Sequence, residues 1–77
     1  MDLQRTLNIL KRIVDELWDL LIKKELDGLD ADDKKRIGQL KKEVKKVESS
    51  MNAKGIKNSS IQRLIQLAKE LIDELEK

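Results

Sequence analysis

The sequence contains no cysteine, histidine, proline, phenylalanine or tyrosine, and Trp18 is its only aromatic residue. Without cysteine, the chain forms no disulfide and has no thiolate nucleophile. Without histidine, it lacks the commonest general base and the commonest protein ligand for metals. We therefore expect no enzyme, no catalytic or metal site and no bound cofactor.

The residues that are present describe a small, highly charged chain with an aliphatic interior. Of its 77 residues, 39% are hydrophobic and 42% are charged, and 17 basic against 15 acidic residues give a net charge of +2. This hydrophobic content is too high for a disordered chain. The length predicts a single domain that spans residues 1–77.

No part of the sequence has the pattern of a membrane or export segment. The longest uninterrupted hydrophobic run is 20–22, whereas a membrane-spanning helix needs about 20 such residues. The first ten residues lack the basic stretch and apolar segment of a signal peptide. We expect a soluble chain, cytoplasmic if it is produced in a cell, although nothing in the sequence fixes its location.

The first loop is predicted around Gly28. The left-handed conformation that glycine adopts easily would end the first helix there, with Leu29 as the apolar residue that follows in a Schellman motif. Asp30 is then the predicted N-cap of the second helix, because its carboxylate can accept a hydrogen bond from the first helical turn.

The second loop repeats this pattern. Gly55 and Ile56 occupy the corresponding positions, and Ser59 with Gln62 forms the predicted capping box of the third helix. The two loops divide the chain into three predicted helices, about 3–27, 31–54 and 60–76.

The hydrophobic residues recur at spacings of three and four in all three segments, which is the period of an amphipathic helix. No stretch alternates as a half-buried β-strand would. Three such helices with short loops predict an all-α fold, an antiparallel up-down-up three-helix bundle. The predicted core comprises Leu7, Leu10, Val14, Leu17, Leu21, Leu40, Val44, Val47, Leu64, Ala68, Leu71, Ile72 and Leu75.

Gly38 lies inside the predicted second helix, where glycine costs about 1 kcal/mol relative to alanine. We interpret it as a point at which the backbone of the first helix comes close to the second. Its role is otherwise open.

The composition resembles that of de novo designed helical bundles. The resemblance rests on the joint absence of five residue types, on 13 leucines and 8 isoleucines as the main apolar residues, and on strong helix formers elsewhere. It implies an idealised three-helix protein whose role is to fold stably. The sequence matches no natural family that we recognise.

The first helix has more hydrophobic residues than one buried face requires. Trp18, Ile22 and Leu26 follow one another at a spacing of four, beside the inward stripe. Either the first helix is central and contacts both neighbours, or these three residues bind a protein partner or a second copy of the chain. The second interpretation makes the chain a protein-protein interaction module.

The second helix suggests a weaker alternative, nucleic-acid binding. Lysines along its outer side could contact phosphates, but acidic residues interrupt them and no aromatic residue is there to stack on bases. The lysines are Lys34, Lys35, Lys41, Lys42, Lys45 and Lys46.

Overall fold

The computed structural model describes residues 3–77, which form three α-helices and contain no β-strand. The predicted bounds agree with the helices to within one residue. The single domain predicted over 1–77 includes Met1 and Asp2, which lie outside the described residues. The helices are α1 (Leu3–Leu26), α2 (Ala31–Ala53) and α3 (Ser59–Glu76).

The order of the helix ends confirms the up-down-up arrangement. The Lys23 ammonium, near the end of α1, lies 2.7 Å from the carboxylate of Asp33 at the start of α2. The neighbouring Lys24 donates a 2.8 Å hydrogen bond to the carbonyl oxygen of Glu74, near the end of α3. One end of the bundle therefore carries the C-termini of α1 and α3 and the N-terminus of α2. The molecule measures 40 × 19 × 17 Å.

The core is almost entirely aliphatic and draws on all three helices. Contact is most extensive between α1 and α3, whereas α2 packs less closely against either of them. Nine of the predicted core residues are buried. The buried hydrophobic residues are Leu10, Ile13, Val14, Leu17, Ile37, Leu40, Val44, Met51, Ile61, Ile65, Ala68, Leu71, Ile72 and Leu75.

Four predicted core residues are only half-buried at the edge of the core, so their assignment to the buried set was wrong: Leu7, Leu21, Val47 and Leu64. The buried set instead includes residues one step round each helix, such as Ile13 and Ile65. The reason is that a residue is fully covered only where its helix faces the common axis of the bundle. The sequence gives each apolar stripe but not its rotation relative to that axis.

The first loop confirms the left-handed backbone conformation of Gly28 but not the Schellman motif. Gly28 has a φ of 84°. Its own N–H, rather than that of Leu29, donates the 3.0 Å hydrogen bond to the Lys23 carbonyl oxygen. The prediction that Leu29 closes a Schellman motif was therefore wrong. The helix ends at Leu26, and the N–H of Gly28 already makes the hydrogen bond that the N–H of Leu29 was expected to make. Leu29 still packs against the core.

The predicted N-cap of α2 is confirmed. The carboxylate of Asp30 accepts a 2.8 Å hydrogen bond from the N–H of Asp33. The Asp33 carboxylate accepts a 3.2 Å hydrogen bond from the N–H of Asp30 in return. This reciprocal pair is a capping box that satisfies two backbone donors at the helix start.

The second loop confirms the predicted Schellman motif. Gly55 has a φ of 64°. The N–H of Ile56 bonds to the Met51 carbonyl oxygen at 3.0 Å, and that of Gly55 bonds to the Asn52 carbonyl oxygen at 3.1 Å. These two bonds close the end of α2.

The N-cap of α3 is Asn58, so the prediction of Ser59 was wrong by one residue. The side-chain oxygen of Asn58 accepts a 3.1 Å hydrogen bond from the N–H of Ile61. Ser59 is instead the first residue of the helix. Asparagine and serine are comparably strong N-caps, so intrinsic preference alone does not choose between adjacent positions.

The interpretation of Gly38 as a close contact between helices was wrong. A Cβ atom at this position would meet no other atom within 4 Å. The glycine instead borders an open hollow of about 360 Å³, lined by residues that include Ile37 and Leu75. No packing constraint therefore requires glycine here.

Candidate functional site

The exposed large hydrophobic side chains of residues 3–77 all lie on α1. Three of them, Trp18, Ile22 and Leu26, are 46%, 53% and 77% exposed. We call these three residues the apolar ridge, because side chains four apart form a continuous row along a helix. They are the residues that the sequence suggested as a partner-binding surface.

The apolar ridge lies on the side of α1 that faces away from α2. The side facing α2 is marked by Glu16, whose carboxylate bonds to the guanidinium of Arg36 at 2.8 Å. At about 100° per residue, Trp18 is turned by about 160° from Glu16. Packing of α2 on the opposite side of α1 therefore leaves the ridge open to solvent.

Three exposed carboxylates of α1 surround the apolar ridge. Asp15 precedes Trp18 by three residues and Asp19 precedes Ile22 by three, while Glu25 follows Ile22 by three. Residues three apart are neighbours on a helix surface. Acidic groups therefore border the ridge on both sides.

The C-terminal half of α3 carries further carboxylates, but it contacts α1 at Lys24, which is turned by about 160° from Ile22. Lys24, on α1, donates a hydrogen bond to the carbonyl oxygen of Glu74, which places Glu74 beside α1. The ammonium of Lys77 lies 2.9 Å from the Glu74 carboxylate, and this hydrogen bond lowers the pKa of Glu74. Glu70 lies one turn earlier and is exposed. We call Asp15, Asp19 and Glu25, which directly neighbour the apolar ridge on α1, the acidic rim.

The opposite sign of charge collects on α2. Between residues 30 and 54, eight basic and five acidic residues give a net charge of +3. All but one of the outer lysines are exposed; the exception, Lys41, is half-buried and lies 2.9 Å from the carboxylate of Glu76. The lysines of α2 thus form a basic surface that is separate from the carboxylates beside the apolar ridge. No aromatic residue lies on α2.

A groove of about 500 Å³ between α1 and α2 was not predicted. Its floor is apolar, and charged side chains such as Arg12, Arg36 and Glu43 line its edge. One signal in the sequence could have indicated it: the apolar stripe of α2 is narrow, with two hydrophobic positions in every seven residues. A stripe so narrow leaves space beside the wider face of α1. The floor residues include Ile9, Ile13, Leu40 and Val47.

Two aspartates at the first loop cap the N-terminus of α2. Asp30 and Asp33 form the capping box, and Lys23 lies 3.7 Å and 2.7 Å from their carboxylates. The hydrogen bond from Lys23 is the largest cause of the lowered pKa of Asp33. Within residues 3–77, no three acidic side chains cluster closely enough to hold a metal ion.

Comparison with known proteins returned no match: no protein family model matches the chain, and neither a curated protein nor a solved structure is similar to it. In the part of the chain that the structure describes, no helix combines the length and hydrophobicity that crossing a membrane requires. The candidate site therefore rests on the geometry of the apolar ridge and its acidic rim.

Proposed function

We propose that the chain is a noncatalytic protein-interaction module that docks on a helix of a partner protein through the apolar ridge. The observation that carries this proposal is the exposure of Trp18, Ile22 and Leu26 in one continuous row. Single exposed hydrophobic residues are ordinary on protein surfaces, whereas contiguous ones mark interaction sites.

The shape of the apolar ridge suits a helical partner. A row of side chains four residues apart fits into the groove between rows on a second helix. Trp18 would supply the anchor, since tryptophan is enriched among the few residues that carry most of the binding energy of an interface. Its indole N–H keeps a donor for a polar group of the partner.

A second candidate function is purely structural: a bundle of designed origin whose role is to fold. The almost wholly aliphatic core supports it. So do the side-chain caps of α2 and α3 and the absence, within residues 3–77, of any buried side-chain polar atom without a hydrogen bond. These are features that designed bundles optimise. In that case the apolar ridge has no partner. Nucleic-acid binding through α2 stays a weaker alternative.

Trp18 fluorescence and sedimentation equilibrium test the proposal. The probe is a synthetic amphipathic peptide of about 20 residues with leucines on one face and glutamines on the other. We expect binding to shift the Trp18 emission to shorter wavelength and to raise the mass above 8.9 kDa. Ile22→Ser should abolish binding. Ile9→Ser should not, although Ile9 is 42% exposed on the same helix.

A constant mass of 8.9 kDa in the presence of the peptide, with unchanged emission, would favour the structural bundle instead. Equal loss of binding in Ile22→Ser and Ile9→Ser would place the contact elsewhere on α1. Circular dichroism of each variant separates loss of binding from loss of folding.

A further inference from the structure

The chemistry of the partner can be inferred from the charges around the apolar ridge; this inference rests on the proposed function. Asp15, Asp19 and Glu25 are exposed next to the ridge. None of the three carboxylates forms an ion pair within residues 3–77. Their negative charge is therefore available to a binding partner.

The two lysines of α1 nearest to Asp19 and Glu25 are engaged by other groups. Lys23 pairs with Asp30 and Asp33 at the first loop. The Lys24 ammonium donates to carbonyl oxygens at the end of α3, at 2.8 Å to Glu74. Asp19 and Glu25 therefore stay unpaired within residues 3–77 on the two sides of Ile22, while Lys11 is exposed one turn before Asp15.

We propose that the partner is a basic amphipathic helix. An apolar stripe on that helix would cover Trp18, Ile22 and Leu26, while lysine or arginine residues beside the stripe would face the acidic rim. Complementary charges of this kind speed association and select between partners more than they add affinity. An acidic helix with the same stripe would be rejected by like-charge repulsion.

A second copy of the chain fits this surface less well. An antiparallel pair of α1 helices centred on Ile22 would place Asp19 of one copy opposite Glu25 of the other, and the two-fold axis would create this contact twice. The basic surface of α2 has the complementary charge, but it has no apolar row to cover the ridge. Charge complementarity therefore favours a separate basic helix.

The test compares three fluorescein-labelled peptides with the same leucine stripe and with lysine, glutamine or glutamate beside it. Fluorescence anisotropy measures each Kd. At low salt, we expect the lysine peptide to bind at least about tenfold more tightly than the glutamine peptide, and the glutamate peptide to bind least. This preference should shrink as salt screens the charges.

Two matched pairs of variants locate the contact. Ile22→Ser should abolish binding of the lysine peptide, whereas Ile9→Ser should not. Glu25→Gln should raise the Kd of the lysine peptide by about threefold, as expected for the loss of one exposed charge pair. The Kd of the glutamine peptide should not change. Glu43→Gln, which removes an exposed carboxylate of α2, should affect neither peptide.

The possible failures are distinguishable. Equal affinity for the three peptides, lost in Ile22→Ser, would overturn the basic partner and leave the proposed function standing. Absence of binding, or binding that Ile22→Ser does not change, would overturn both. A dimer without peptide in sedimentation equilibrium, lost in Ile22→Ser, would overturn the basic helix in favour of a second copy.

Discussion

The guanidinium of Arg36 on α2 donates two hydrogen bonds to the carboxylate of Glu16 on α1, from Nε at 2.8 Å and from Nη2 at 2.9 Å. This pair joins the two helices that make the least extensive contact in the bundle. The hydrogen bond from Arg36 is the largest cause of the lowered pKa of Glu16. The pair therefore links α1 and α2 beside a groove that apolar side chains leave open.

We predict a small coupling energy between Glu16 and Arg36. Both side chains are more than one-third exposed, at 38% and 42%, so water screens their attraction. A double-mutant cycle with Glu16→Gln and Arg36→Gln, followed by urea unfolding, should give about 0.5 kcal/mol, decreasing with salt. A coupling above about 2 kcal/mol would mean that the pair is effectively desolvated.

The same truncation should have very different effects on stability at two leucines of α1. Leu17 is 0% exposed and Leu26 is 77% exposed. Leu17→Ala should lower the free energy of unfolding by about 2–5 kcal/mol, because it opens a cavity in the core. Leu26→Ala should change it by less than about 0.5 kcal/mol. Chemical denaturation of both variants checks this, and a large loss in Leu26→Ala would show that the apolar ridge is part of the core.

The sequence predicted the fold because each helix carries its own local signals. The periodic leucines define three segments, and Gly55 ends α2 through the predicted hydrogen bonds. Asp30 begins α2 as expected. All of these signals act within a few residues of the chain, so they can be recognised without knowing how the helices pack.

The features that sequence analysis missed depend on the distances between helices. The groove beside Ile13 exists because α2 lies less closely against α1 than α3 does. The free space at Gly38 likewise depends on where α3 ends over α2. Trp18, Ile22 and Leu26 could be named from their spacing, but their exposure depended on which side of α1 receives α2. The hydrophobic pattern of one helix does not show which of its sides will face a given neighbour.

The N-cap of α3 can be tested with two adjacent substitutions. Asn58→Ala removes the side-chain acceptor of the Ile61 N–H and should cost about 1 kcal/mol of unfolding free energy. Ser59→Ala changes the first helical residue, which makes no cap, and should cost much less. Urea unfolding of the two variants distinguishes the positions. A larger loss of stability in Ser59→Ala than in Asn58→Ala would mean that Ser59 is the N-cap.

The free energy of unfolding should be nearly constant across neutral pH, because no side chain has a usual pKa between those of the carboxylates and lysine. The folded protein lowers the pKa of Glu16 from 4.5 and that of Asp33 from 3.8. Groups with a lowered pKa stabilise the fold above their unfolded pKa, and this contribution is lost as pH falls through the folded value. Stability should therefore decline below about pH 4.5.

At alkaline pH, the loss of stability should come from a group whose pKa is raised by folding, not lowered. The pKa of Lys23 is raised above 10.5, chiefly by its hydrogen bond to Asp33. A raised pKa stabilises the fold below the unfolded value and loses its effect as pH rises through the folded one. Urea midpoints measured from pH 3 to 11 should show a plateau with two falling edges. A fall between pH 6 and 9 would contradict this explanation.

Gly38 and Gly55 should respond in opposite directions to alanine. Gly38 lies in a helix with open space around its Cα, so Gly38→Ala should raise the free energy of unfolding by about 0.5–1 kcal/mol through a smaller loss of backbone entropy. Gly55 has a φ of 64°, so Gly55→Ala should destabilise the fold because a Cβ strains that conformation. Urea unfolding measures both effects. If Gly38→Ala were destabilising instead, a neighbour would have to approach this backbone in solution, and the close contact first expected from the sequence would be restored.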